Sequence, residues 1–176
     1  MIKFHLLLLL FFHFSFCQCD GFNWHHDIKI EDCNQNDIDV LNEFIDNGSA
    51  LNEEMDVNFN GKIDVIELGW QLWENGRLIH WICNDVPSPW YIYDYNCNLS
   101  GKIPSNIENL DALVKLDLSM NLLQDKIPNE ICNLNISSKS KYWFNIENNR
   151  LCPEYPDCIQ KSNKKQNIDE CFAKDE

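Results

Sequence analysis

The chain has 176 residues, enough to bury one core, and a formal net charge of −14 that sets its surface against nucleic acid and anionic membrane. Nine cysteines with no C-x-x-C pair point to disulfides in an oxidising compartment more than to zinc.

Lys3 precedes an apolar run over residues 6–16 that only His13 and Ser15 interrupt. The run is too short to span a bilayer but suits a secretory h-region, so residues 1–17 are expected to be a signal peptide, with an uncleaved anchor as the alternative. Without Cys17, an even set remains: Cys19, Cys33, Cys83, Cys97, Cys132, Cys152, Cys158 and Cys171. Its connectivity is open. Asn47-Gly48-Ser49, Asn98-Leu99-Ser100 and Asn135-Ile136-Ser137 are N-glycosylation acceptors in a eukaryotic secretory route.

Residues 18–75 are expected to form an N-terminal helical cap. The neighbouring His25, His26 and Asp27 read as a solvated arm, since adjacent side chains diverge in both helix and strand. Asn36 or Asp37 can cap a helix whose Ile38, Leu41, Phe44 and Ile45 fall at three- and four-residue spacing, with Asn47-Gly48 as its stop. A second helix is predicted over residues 65–73, carrying Ile66, Leu68, Leu72 and Trp73 and ending at Asn75-Gly76.

Between them lies Asp56-Val57-Asn58-Phe59-Asn60-Gly61-Lys62-Ile63-Asp64-Val65-Ile66-Glu67, which resembles the EF-hand calcium loop. The resemblance implies Ca²⁺ held by side-chain oxygens of Asp56, Asn58, Asn60, Asp64 and Glu67 and by the Lys62 carbonyl, with Gly61 making the turn. A large hard cation needs many oxygens, and this stretch offers them at the family's spacing. The alternative is an Asx-rich turn that binds nothing. A single loop of this kind suits a structural ion better than a sensor.

From residue 97 a period emerges: Cys97-Asn98-Leu99-Ser100-Gly101-Lys102-Ile103-Pro104 returns 24 residues later as Asn121-Leu122-Leu123-Gln124-Asp125-Lys126-Ile127-Pro128. Between the copies, Leu113, Leu116, Leu118, Asn121 and Leu123 fit L-x-x-L-x-L-x-x-N-x-L. The chain thus resembles secreted plant-type leucine-rich repeat proteins over residues 31–158. The implied fold is α/β: a short solenoid of about four turns over 76–158, with parallel concave strands, the helical cap before it and a disulfide-bonded C-terminal cap after it. Turns are expected to begin at residues 76, 92, 113 and 144, with Asp94 standing where the pattern wants leucine. Asn121 and Asn149 should form a hydrogen-bonded ladder, with Cys97 the accepted substitute, as a free thiol if it stays reduced. The resemblance makes Cys152 to Cys158 the first choice of disulfide. Residues 159–176 read as a polar tail, tied down only if Cys171 is bonded.

Strand alternation turns Lys115, Asp117 and Ser119 outward, flanked by Tyr91, Tyr93 and Tyr95 on one side and Trp143, Asn145 and Glu147 on the other. Aromatics beside carboxylates mark recognition, unless the rings pack against the caps. The residues assemble no nucleophile and base, no phosphate loop and no informative carboxylate pair. The expectation is a secreted, non-enzymatic module binding an extracellular protein or glycan, not inserted in the membrane once the signal is cleaved; the alternatives are an adhesive surface component or an inhibitor of a secreted hydrolase.

Overall fold

A computed structural model describes residues 19–22, 28–49, 51–84, 97–136, 140, 142–159 and 165–171. The expected signal peptide, the His25-His26-Asp27 cluster, Asp94, and Tyr91, Tyr93 and Tyr95 lie outside the described residues. Among those described, no helix is long and apolar enough to cross a membrane.

Helix α1 spans Gln35–Asn47 and buries Ile38, Val40, Leu41 and Phe44. Its cap is Asn34, two to three residues earlier than expected: the Asn34 Oδ1 accepts from the backbone N–H of Asn36 at 3.0 Å and of Asp37 at 3.3 Å. Asp37 is committed elsewhere. Its fully buried carboxylate accepts from Arg77 Nε at 2.9 Å, Arg77 Nη2 at 3.0 Å and the Leu78 N–H at 2.9 Å. Arg77 also bonds Asp111, so one guanidinium ties α1 to two later segments. The expected stop is in place, with the Gly48 N–H bonded to the Ile45 carbonyl.

The predicted second helix does not form. Val65–Glu67 is a single 3-10 turn, after which the chain enters strand β2 at Trp70–Glu74. Gly69 makes the change of direction at φ +72°, where a Cβ would lie 2.5 Å from the Ile82 carbonyl oxygen, so no other residue fits. Asn75 and Gly76, both at positive φ, then close a two-residue hairpin into β3 at Arg77–Ile82. Asn-Gly here is a hairpin turn and not a helix stop. The hairpin crosses the expected boundary after residue 75. Strand β1, Gly21–Phe22, adds to the far side of β2.

The rest is a coil of parallel turns. Strand β3 pairs with β5, Lys115–Asp117, which pairs with β7, Phe144–Asn145. On the opposite wall β4, Ser100–Gly101, pairs with β6, Leu122–Lys126, and β6 with β8, Arg150–Cys152. The 3-10 segments Ser105–Asn109 and Asn129–Asn133 complete the first two turns.

Among the described residues three turns stand where about four are expected, because β3 pairs directly with β5 and leaves no place for a strand between them. Leu78, Trp81 and Cys83 occupy the positions that Leu113, Leu116 and Leu118 take in the next turn, and the pattern resumes at Cys97 and Leu99. The described part of the expected second turn, from Cys97 on, is the second half of the first. A disulfide between Cys83 and Cys97 joins the two halves, so Cys97 is not a free ladder thiol.

Asn121 and Asn149 do form the ladder. The Asn121 Oδ1 accepts from the Leu99 N–H at 2.8 Å, while its Nδ2 donates to the carbonyls of Cys83, Leu118 and Ser119. Asn149 repeats this one turn on, accepting from Leu123 at 3.0 Å and donating to Leu118, Ile146 and Glu147.

The Cys152 to Cys158 pairing is overturned: Cys132 pairs with Cys158 and Cys152 with Cys171, beside Cys19 with Cys33 at the other end. The tail explains it. Residues 165–167 run along the last turn, Asn148 donating to the Lys165 carbonyl and Asn167 to the Asn149 carbonyl, each at 2.7 Å. This brings Cys171 beside Cys152 at the end of β8, with Cα atoms 5.5 Å apart, and leaves Cys158 to meet Cys132 of the preceding turn.

Candidate functional site

The five-stranded sheet, ordered β1-β2-β3-β5-β7, presents a row of rings across its strands. The register places His80 beside Lys115 and, from Leu116 opposite Phe144, Lys115 beside Trp143. Trp70 on β2 stacks on His80 with centroids 6.0 Å apart, His80 lies 6.5 Å from Trp143, and Trp143 meets Tyr142 edge-on at 4.8 Å. The Lys115 ammonium sits 4.1 Å from the Tyr142 ring centroid, a cation held over a π face. Tyr142 is 65% exposed and Trp143 36% exposed, with exposed Val114 just before β5.

Burial lowers the pKa of His80 from its ordinary 6.5; the Lys115 charge lowers it further and Glu74 opposes them. The imidazole is therefore neutral at pH 7, an apolar-faced member of the row with polar edges.

The polar members of the expected face divide. Trp143 is exposed and Lys115 and Asp117 are half-exposed, whereas Ser119, Asn145 and Glu147 are buried. The Asp117 carboxylate explains two of them: it accepts from Ser119 Oγ at 2.6 Å and from the Asn145 Nδ2 at 3.5 Å, and so draws both side chains inward. Ser119, Asn145 and Glu147 are thus parts of the wall. Tyr91, Tyr93 and Tyr95 lie outside the described residues. Sequence reasoning missed Trp70, His80 and Tyr142, the first because it was assigned to a helix. The signal for His80 was present in the spacing that equates Trp81 with Leu116.

The second feature is the loop at residues 56–67. Its side chains fold inward as donors and acceptors for its own backbone. Asp56 accepts from the N–H groups of Asn60 at 3.0 Å and Gly61 at 2.8 Å; Asn58 accepts from Asn60 at 3.0 Å, and Asn60 from Lys62 at 3.0 Å. Glu67 reaches back to the N–H of Asn58 at 3.1 Å and of Asp64 at 2.9 Å. Asn58 and Asn60 both donate to Asp64 Oδ2, so Asp56, Asn58, Asn60, Asp64 and Glu67 are drawn into one network. The Lys62 ammonium, 2.6 Å from the Asp64 Oδ1, holds that carboxyl below the usual carboxylate range, with the two asparagine amides adding to the effect against partial burial.

Two details depart from the EF-hand likeness. A strand and not a helix follows the loop, and the Lys62 side chain occupies an oxygen that the likeness assigns to a metal. Among the described residues, no group of three or more His, Cys, Asp or Glu side chains is placed to hold a metal. A cation here must therefore draw oxygens from Asn58 and Asn60 as well.

Residues 112–134 match the family model for the Leucine Rich Repeat. This supports a leucine-rich repeat protein, and the match covers the turn that contains β5, the Asn121 rung and β6. No curated protein and no solved structure matches the chain.

Proposed function

We propose that this chain is a secreted leucine-rich repeat module that binds another extracellular protein through the ring row on its strand face. Leucine-rich repeats generally serve protein interaction and not catalysis, which favours this reading over an enzyme. The single observation that carries it is the unbroken series Trp70, His80, Trp143, Tyr142, with Lys115 over the last ring. Such rings supply contact area at small entropic cost, and Tyr142 and Trp143 remain open at the edge where a partner approaches. Four disulfides suit an oxidising compartment.

The test compares proteins retained by the immobilised chain and by a Tyr142→Ala, Trp143→Ala double variant. A partner lost by the variant at an unchanged melting temperature supports the reading. Equal retention, or a large fall in melting temperature, assigns the rings to packing.

The loop at 56–67 is proposed to hold one structural Ca²⁺ through Asp56, Asn58, Asn60, Asp64, Glu67 and the Lys62 carbonyl. Its donor chemistry fits, being all oxygen, and the carboxylates gathered by backbone N–H groups lose less freedom when a cation joins them. The ion supplies positive charge that offsets repulsion among Asp56, Asp64 and Glu67. Lys62 then has to release Asp64.

A further inference from the structure

The loop carries something the proposed ion does not use. Phe59 is 90% exposed, and Val57, two residues before it, is 53% exposed. Phe59 also sits at φ +57°, the left-handed region that glycine or asparagine enters with little strain and a phenylalanine does not. The backbone there is not free to relax: the side chains of Asp56, Asn58 and Asn60 hold the N–H groups of Asn60, Gly61 and Lys62 on its C-terminal side. The fold therefore spends strain to present an apolar ring to water, and at 90% exposure the ring buries little against the described residues in return.

The surroundings decide what covers it. Exposed Glu53 and Glu54 and half-exposed Asp56 line the same surface hollow as Phe59 and Val57, and Lys62, the one cation among the described residues lining it, is already paired to Asp64. On a chain of net charge −14 this collar repels an anionic membrane. A neutral membrane gains little, because two short side chains offer less apolar surface than a single fatty acyl chain, which itself anchors only marginally. A cationic protein surface with an apolar recess satisfies both the ring and the collar.

We infer that Phe59 and Val57 form a preorganised knob that docks into an apolar recess on a positively charged partner protein. This is a second contact surface, built from residues that the ring row does not use. The collar steers the approach and the ring supplies the contact that the rigid loop has ordered in advance.

The probe is a fluorescently labelled amphipathic peptide of alternating Lys and Leu, read by anisotropy against the intact disulfide-bonded chain in calcium-free buffer. The wild-type chain binds it, Phe59→Asn weakens binding about tenfold or more, as loss of one buried aromatic implies, and Trp143→Ala leaves it unchanged. A Glu/Leu peptide of the same length does not bind. Phe59→Asn keeps the wild-type melting temperature or raises it, since asparagine accepts the backbone angle. No binding by the wild-type chain, equal binding by Phe59→Asn, or an equal loss in Trp143→Ala overturns the inference. Phe59-dependent retention on phosphatidylcholine vesicles without peptide binding also overturns it, in favour of a membrane. A loss confined to Trp143→Ala would instead place the peptide on the ring row, so the two surfaces are told apart.

Discussion

Two pairs of asparagines organise this molecule by the same chemistry in opposite settings. Asn121 and Asn149 sit inside the coil, 5% and 1% exposed, each accepting from one backbone N–H and donating to carbonyls of neighbouring turns. Asn58 and Asn60 lie in the exposed loop and bond backbone only a few residues away. In the coil both amides are buried, so each stands between several backbone groups and the cost of burying them unpaired. In the loop water competes for every bond, and the side chains set a shape more than they stabilise it.

The contrast predicts its largest effect at Asn121. Asn121→Ala strands the Leu99 N–H and removes a donor from the Cys83, Leu118 and Ser119 carbonyls; the expected loss is about 3 kcal/mol, or a melting temperature lower by roughly 6–12 °C for a chain of this size. Thermal unfolding measures it. A loss under about 1 kcal/mol would mean that water reaches the ladder, and the contrast would fail.

Next comes the end of the ladder, where Asn149 depends on the tail: its N–H donates to the Gln166 Oε1 at 2.9 Å, and its carbonyl accepts from Asn167 at 2.7 Å. Removing the Cys152–Cys171 bond by a double serine substitution frees that strap. The expected cost is about 2 kcal/mol, with faster hydrogen exchange at Asn148, Asn149 and Asn167 and little change at Leu99. Uniform acceleration across the coil would show that the last turn has no local stability of its own.

A smaller effect is expected in the loop, and only with the ion. At a Ca²⁺ concentration tenfold above the dissociation constant, binding raises stability by about 1.4 kcal/mol. Asn58→Ala should abolish that rise while changing stability in chelator by no more than about 0.5 kcal/mol. Calorimetry with and without Ca²⁺ reads both. No rise for the wild-type chain would leave the loop as a self-bonded Asx turn.

How much of this was legible follows from the same division. The regular turn was plain in the sequence, because Leu113, Leu116, Leu118, Asn121 and Leu123 each answer a local demand of the coil. The first turn was not, because Trp81 and Cys83 fill leucine positions and its two halves are separated by residues 84–96. Ile66, Leu68, Leu72 and Trp73 mimic helical spacing, yet Gly69 between them was the available sign of a chain reversal. Asp37 read as a candidate helix cap and Arg77 carried no reading of its own, and only the fold brings them together across 40 residues of sequence. The disulfide pattern depended on a tail with no apolar periodicity. The loop's residue types were readable from spacing alone; the Lys62 to Asp64 pairing and the stacking of Trp70 on His80 needed three dimensions.

His80 tests the middle of the range, a polar group half-buried in the ring row. Burial, then Lys115, push its folded pKa below the ordinary 6.5, while Glu74 pulls the other way. An unfolded chain, whose imidazole titrates near 6.5, therefore binds the proton more readily than the folded one below that pH. Stability is retained above about 6.5 and declines as pH falls from there toward the lowered folded value. His80→Gln should remove this part of the slope, and Lys115→Gln should reduce it, because one of the two effects that lower the pKa is gone. Urea unfolding at about pH 7.5 and 5.5, taken as a difference between wild type and His80→Gln, isolates the group from the other histidines. If the difference is the same at both values, the imidazole is solvated like the loop amides, and burial at the ring row does not restrain its charge.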